Sequence, residues 1–284
     1  MRDRESRFKS LILGQGLSLA TALAGLIMLW SRHDSWIAMA LAAAISALMV
    51  YEIRARALYK GPNFPFAGLF MLMLAAITPG ITGMLLATVA AGAMTLLFLC
   101  FSRPGETRTI FLIYLFCGLG ALGSRSFALL AVALFPAVIL VRAFSMRGLV
   151  AAMLGMLTPA IIAVGFGVYD PRSLVDIYAA PWVAGFDAPT MMAGATALLF
   201  GLAMFLPSYG YPAKARARNM AILGLTACAV AMPMADSANS FNYLPLVSLC
   251  AAYNVSHLAA TRRLGWFWAI AVGAAAVLFY SMYR

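Results

Sequence analysis

Four short polar stretches, set between long apolar runs, hold most of the side chains that could do chemistry. They are His33-Asp34; Arg125 between Ser124 and Ser126; Asp170, Arg172 and Asp176; and Asp236 with Asn239 and Asn242. An Arg guanidinium can grip a phosphate or pyrophosphate with two parallel N–H donors. An Asp at a membrane surface can serve as a base or bind a divalent metal. Asp34, Asp170 and Asp236 are therefore the candidate catalytic residues. His33, Arg125, Arg172 and Asn242 are the candidate substrate-binding residues. A divalent metal at the Asp residues is the one cofactor this set admits, and no ligand spacing fixes it. The simpler account is that turns need polar residues and Asp is an ordinary cap and turn former.

Other chemistries lack their motifs. The chain has no P-loop, no Gly-x-Ser-x-Gly, no His-Glu-x-x-His and no Cys-x-x-Cys. Gly14-Gln15-Gly16 follows no strand and is not a nucleotide fingerprint. Gly14, Ser18 and Ala22, spaced four apart, instead form a small-residue face for close helix packing. Cys100, Cys117, Cys228 and Cys250 all fall in or at the end of apolar segments and read as free, buried thiols. No ionisable residue is expected at mid-helix, and His257 falls near a helix end. Gln15, Ser46, Thr158, Asn254 and Ser256 are uncharged polar residues within helices; such groups commonly bridge neighbouring helices. Pro136, Pro159, Pro233 and Pro245 lie in or near helices and can kink them.

The elements that must position these groups follow from composition. Of 284 residues, 64% are hydrophobic and 10% charged, against about 25% charged in a soluble domain. So little charge cannot cover a water-facing surface, and lipid is the expected solvent. The net charge of +11 comes from short basic clusters between apolar runs, the pattern of membrane loops. Membrane lipids, and further integral membrane subunits, are thus the expected partners; nucleic acid is not.

About twenty apolar residues cross a bilayer as a helix. The reading is all-α: a polytopic bundle, one transmembrane domain over 1–284, with about eleven helices. They are expected near 11–31, 36–51, 64–79, 82–101, 110–123, 127–141, 148–168, 190–208, 220–234, 243–258 and 266–282. A basic N-terminus, 1–10, precedes the first, which is too long for a signal-peptide core and reads as a retained span. Two stretches, 64–101 and 110–141, are each split into a hairpin at Thr78-Pro79-Gly80 and at Gly123-Ser124-Arg125-Ser126. With the N-terminus inside, 16 of the 20 basic residues fall inside and 4 outside. Merging either hairpin destroys that bias. The expected topology is therefore N-terminus cytoplasmic and C-terminus extracytoplasmic. Trp30, Trp36, Trp182, Trp266 and Trp268 fall at interfacial positions. The longest loop, 169–190, is outer; Asp170-Pro171 starts a short amphipathic helix in it, which Pro181 stops. Arg54/Arg56 and Arg216/Arg218 repeat an Arg-x-Arg pair in two inner loops.

Arg142-Ala-Phe-Ser-Met-Arg-Gly148 with Leu154-Gly-Met-Leu-Thr-Pro159, and Phe241-Asn-Tyr-Leu-Pro245 with Ala252-Tyr-Asn254, resemble a family of polytopic bacterial inner-membrane proteins. The resemblance covers roughly 120 residues, helices six to ten, and implies a bacterial inner (plasma) membrane setting. That family has no assigned activity, so it transfers no functional residue. The leading expectation is an envelope-biogenesis protein handling a polyprenyl-linked glycan or lipid at the outer leaflet. A non-catalytic subunit of a larger membrane complex and a small-molecule transporter are the alternatives, and whether the chain is an enzyme stays open.

Overall fold

A computed structural model describes residues 19–31, 35–56, 58, 64–77, 79–100, 106–141, 143–179, 185 and 188–262. Among them every regular element is helical. In chain order these are α1 (Leu19–Ser31), α2 (Trp36–Ala55), α3 (Phe64–Ile77), α4 (Ile81–Cys100), α5 (Thr107–Ala121), α6 (Ser126–Leu140), α7 (Met146–Gly165), α8 (Pro171–Ala179), α9 (Ala188–Ser208), α10 (Ala213–Ala235) and α11 (Ser240–Arg262). One 3-10 turn, Ser237–Asn239, joins α10 to α11. Four helices, α2, α4, α7 and α10, are long and apolar enough to cross a membrane, which marks the chain as a membrane protein. Each of the first ten expected segments coincides with a helix, and both hairpin splits occur. The last segment, 266–282, and the start of the first lie outside the described residues.

Local chemistry explains the boundaries. The Ser145 side chain accepts from Gly148 N at 3.0 Å and opens α7; Ser35 caps α2 in the same way, at 3.4 Å from Ala38 N. Within the helices, threonine hydroxyls that lipid would leave without a partner turn back on the carbonyl four residues earlier. Thr88 does so to Met84 at 2.7 Å and Thr226 to Ile222 at 2.8 Å. Five helices run past their expected ends into charged sequence: α2 to Ala55, α5 back to Thr107, α7 back to Met146, α10 back to Ala213 and α11 to Arg262. Reading apolar runs alone underestimates such ends. The Ala, Lys and Arg residues that open α10 are good helix formers, and long basic side chains reach water from inside a helix.

Helix α11 is the axis of the bundle. Every residue from Tyr243 to His257 is buried, and α3, α4, α9 and α10 pack around it. A helix covered on all sides is the core of its bundle. Helices α5 and α7 run parallel in the closest pairing. A Cβ built on Gly118 would lie 2.5 Å from Met156 O, and one on Gly155 would lie 2.4 Å from Phe111 O. In lipid, association relies on such close backbone approach. Of the small face expected on the first helix, Gly14 and Ser18 lie outside the described residues and Ala22 is half-buried. The contact continues at Gly25, where a Cβ would meet Met71 Cβ at 2.8 Å. The four cysteines are free, and three are buried. Trp30 and Trp36 are exposed.

The turns sort into two ends. At one, the α5–α6 turn, α8 and the α10–α11 turn come together, beside the start of α4, where Gly83 meets Asn242 O and Pro245. At the other, Leu58, the end of α4 and the start of α10 meet the last turns of α11.

Candidate functional site

Arg125 opens α6 and Asp236 ends α10, 111 positions apart in sequence. Their side chains form a two-point ion pair, Nη2 to Oδ1 at 2.7 Å and Nε to Oδ2 at 3.2 Å. Asp236 is fully buried and Arg125 is 5% exposed. The carboxylate also accepts from Asn239 Nδ2 at 3.0 and 3.2 Å and from Tyr243 Oη at 2.9 Å. Burial pushes this carboxyl up, but the hydrogen bonds from Arg125, Asn239 and Tyr243, with the Arg125 charge, together hold it below its ordinary value. Arg125 makes no side-chain cap on α6; its guanidinium goes across to the other hairpin instead. Above the pair, Tyr169 donates to Leu122 O at 2.7 Å and Tyr178 to Ala121 O at 3.0 Å, so α8 sits on the α5–α6 turn.

The other expected site residues do not join this pair. Asp170 and Arg172 are exposed. Asp170 instead caps α8, accepting from Arg172 N at 2.9 Å, and the expected short helix forms as read. Asp176 is exposed on α8, and Asn242 is half-buried at the start of α11. His33 and Asp34 lie outside the described residues. Among the described residues no three His, Cys, Asp or Glu side chains gather as metal ligands do. Replacing Asp170 by Ala is expected to remove only a cap, costing about 1 kcal/mol. A thermal unfolding curve that falls as far as it does for an Arg125 variant contradicts that capping role.

A second polar cluster, at the opposite end, escaped the sequence reading. Asn219 of α10 donates to Leu58 O at 3.1 Å and faces His257 Nε2 at 3.2 Å; its Oδ1 accepts from Tyr253 Oη at 2.7 Å. The His257 ring lies between Tyr211 and Tyr253, at centroid distances of 5.5 and 6.1 Å. Beside it Glu52 pairs with Arg56, Arg56 donates to Phe98 O at 3.3 Å, and the Arg218 guanidinium lies 5.9 Å from the centre of the Phe98 ring. The second members of the two Arg-x-Arg pairs thus meet around one phenylalanine. None of these groups is at mid-helix, as expected, yet Glu52, Arg218 and His257 are buried. The available signal was position: each lies within two turns of a helix end, where a span that overruns its apolar run buries what the run excluded.

Between the two clusters, Asn254 donates to Ala197 O at 3.1 Å and to Thr226 Oγ1 at 3.2 Å. Polar groups therefore occur at three levels along the single α10–α11 seam. Each helix has 23 residues, about 34 Å at 1.5 Å per residue, enough for a whole hydrocarbon core.

No family model, no curated protein and no solved structure matches this chain. Fold and site together define a helical membrane protein with buried polar clusters at both ends of its central hairpin.

Proposed function

We propose that this chain is a small-molecule carrier of a bacterial inner membrane. On this reading it has eleven spans, a cytoplasmic N-terminus and an extracytoplasmic C-terminus. The observation that carries the proposal is the α10–α11 seam: a buried ion pair at one end, a buried Asn–His–Tyr cluster at the other and an amide between them. Buried ionisable and polar groups in spans face pathways more often than lipid. Closing each end by a hydrogen-bonded cluster that joins different helices suits alternating access around a midplane site. Asp236 ties the central hairpin to α6; Asn219 ties it to the α2–α3 connection. The prolines in α10 and α11, Pro233 and Pro245, lie next to the first of these clusters, where each removes a helix hydrogen bond.

Cys250 tests it, because its thiol is fully buried in the seam beside Thr226. With the other three cysteines replaced by Ala, a small charged methanethiosulfonate applied to intact cells is expected to modify Cys250. Asp176→Cys serves as the exposed control and also reports sidedness: outside-facing α8 labels without permeabilisation, and Lys214→Cys only after it. Full labelling of the control with none of Cys250 sinks the carrier reading.

A second reading keeps the envelope-biogenesis role, a polyprenyl-linked glycan or lipid handled at the outer leaflet. It is favoured by Asp170, at the start of α8, and by Arg172 and Asp176 on it, all of which stay exposed. It no longer draws on Arg125 and Asp236, whose charges are spent on each other. An Arg172→Ala or Asp176→Ala chain made at normal level but inactive in an envelope-integrity assay supports this role; full activity in both removes it.

A further inference from the structure

The three levels of the α10–α11 seam differ in one respect. At the two ends the Asp236 carboxylate and the Asn219 amide have protein partners at both of their polar atoms. At the middle level Asn254 is only half satisfied. Its Nδ2 donates twice, to Ala197 O of α9 and Thr226 Oγ1 of α10, and this fixes which end of the amide points where. Its Oδ1 is buried and meets no donor among the described residues. Asn254 itself is 0% exposed. An amide oxygen left without a donor in an apolar medium loses its hydration and gains nothing in return.

The position adds to this. Thr226 is two residues from the middle of α10 and Asn254 three from the middle of α11, so the amide sits near the mid-depth of the hairpin. Gly201 of α9 faces it: a Cβ there would come within 3.0 Å of Nδ2. On that side the neighbours are the Gly201 backbone and the Leu223 side chain. None of the described residues bonded to the amide or facing it is charged. Ala197, Gly201, Thr226 and, beside Thr226, Cys250 make a neutral surround. An ammonium or carboxylate entering here would bring an uncompensated charge into low dielectric, whereas a neutral donor would not.

We propose that the Asn254 amide oxygen is a solute-binding group, and that it takes the hydroxyl of a small neutral polyhydroxy compound. Thr226 Oγ1, whose own proton goes to Ile222 O, has a lone pair left to accept from a second hydroxyl of the same compound. The inference rests on the carrier reading and specifies the solute class that reading leaves open. Neither group that Asn254 donates to depends on it alone. Its acceptor Ala197 O belongs to a helix, and the Thr226 hydroxyl has its own acceptor.

The test uses the full chain in proteoliposomes, with glycerol and erythritol as probes and stopped-flow light scattering as readout. Flux above protein-free vesicles is expected for the wild type, and a loss of tenfold or more for Asn254→Leu at unchanged elution profile. Gly201→Ala, which displaces the amide without deleting it, is expected to give an intermediate rate and covers the case in which Asn254→Leu fails to fold. Wild-type flux equal to empty vesicles, or equal flux in the wild type and both variants, overturns the assignment. The two layers fail separately. Cys250 labelling without polyol flux leaves the carrier and removes this solute class; absence of labelling removes the carrier itself.

Discussion

Arg125→Leu is expected to destabilise the protein by about 3–5 kcal/mol, because it strands the Asp236 carboxylate in a buried site. Asp236→Leu is expected to cost as much by stranding Arg125. The double variant, Arg125→Leu with Asp236→Leu, should recover part of the loss, since neither charge is stranded while the Tyr243 hydroxyl and the Asn239 amide still lose their acceptor. Denaturant or thermal unfolding in mild detergent, run as a double-mutant cycle, measures this directly. Additive losses would show that the two charges do not depend on each other. The pair also sets a pH dependence. The Asp236 carboxyl is held below its ordinary value of 3.8 in the folded chain. Its contribution is thus fully present above that value and is lost as pH falls through the lower folded value. Acid stability of the wild type should decline there, and that of the double variant should not.

The second large effect belongs to α5 and α7. Gly155→Ala puts a methyl 2.4 Å from Phe111 O and 3.0 Å from Leu115 N; Gly118→Ala puts one 2.5 Å from Met156 O. Backbone atoms cannot rotate out of the way as a side chain can, so the helices must part. Overpacking of this kind costs about 1–3 kcal/mol for one methyl, and Gly155→Val should cost more. Gly92→Ala is the control, since nothing lies within 4 Å of its Cβ direction. At that site the better helix former should be neutral or stabilising by up to about 1 kcal/mol. Equal unfolding midpoints for Gly155→Ala and Gly92→Ala would falsify the close α5–α7 packing.

Both predictions concern residues whose type was legible early and whose partners were not. Arg125 stood out because a basic residue in a tight turn on the expected outer side breaks the charge bias. Asp236 stood out as a turn acid. Their joint appearance in a candidate catalytic set was sound grouping by side, but the set itself divided. Asp170 became a cap, since an Asp followed by Pro at a helix start bonds the nearest free N–H before anything distant. Asp236 found a guanidinium because two turns 111 residues apart pack at the same end. The cluster around His257 was hidden differently. Glu52 and Arg218 look like ordinary basic-loop residues when helices are drawn only as far as apolar runs go.

By itself the sequence determined the medium, the helical class, the positions of ten segments, both hairpin turns and the short helix at Pro171. These depend on composition and on local hydrogen bonding: a chain with 10% charge needs lipid, and backbone in lipid must close its own hydrogen bonds. The tertiary structure alone decided which helix is central, which turns meet, and whether a polar group has a partner. Apolar patterning separates lipid from water but does not rank one buried face above another, because the apolar residues of α4 and α11 favour almost no side. The inside of the bundle is thus specified by glycine contacts and by a few polar groups, and these declare their partners only once the helices are assembled.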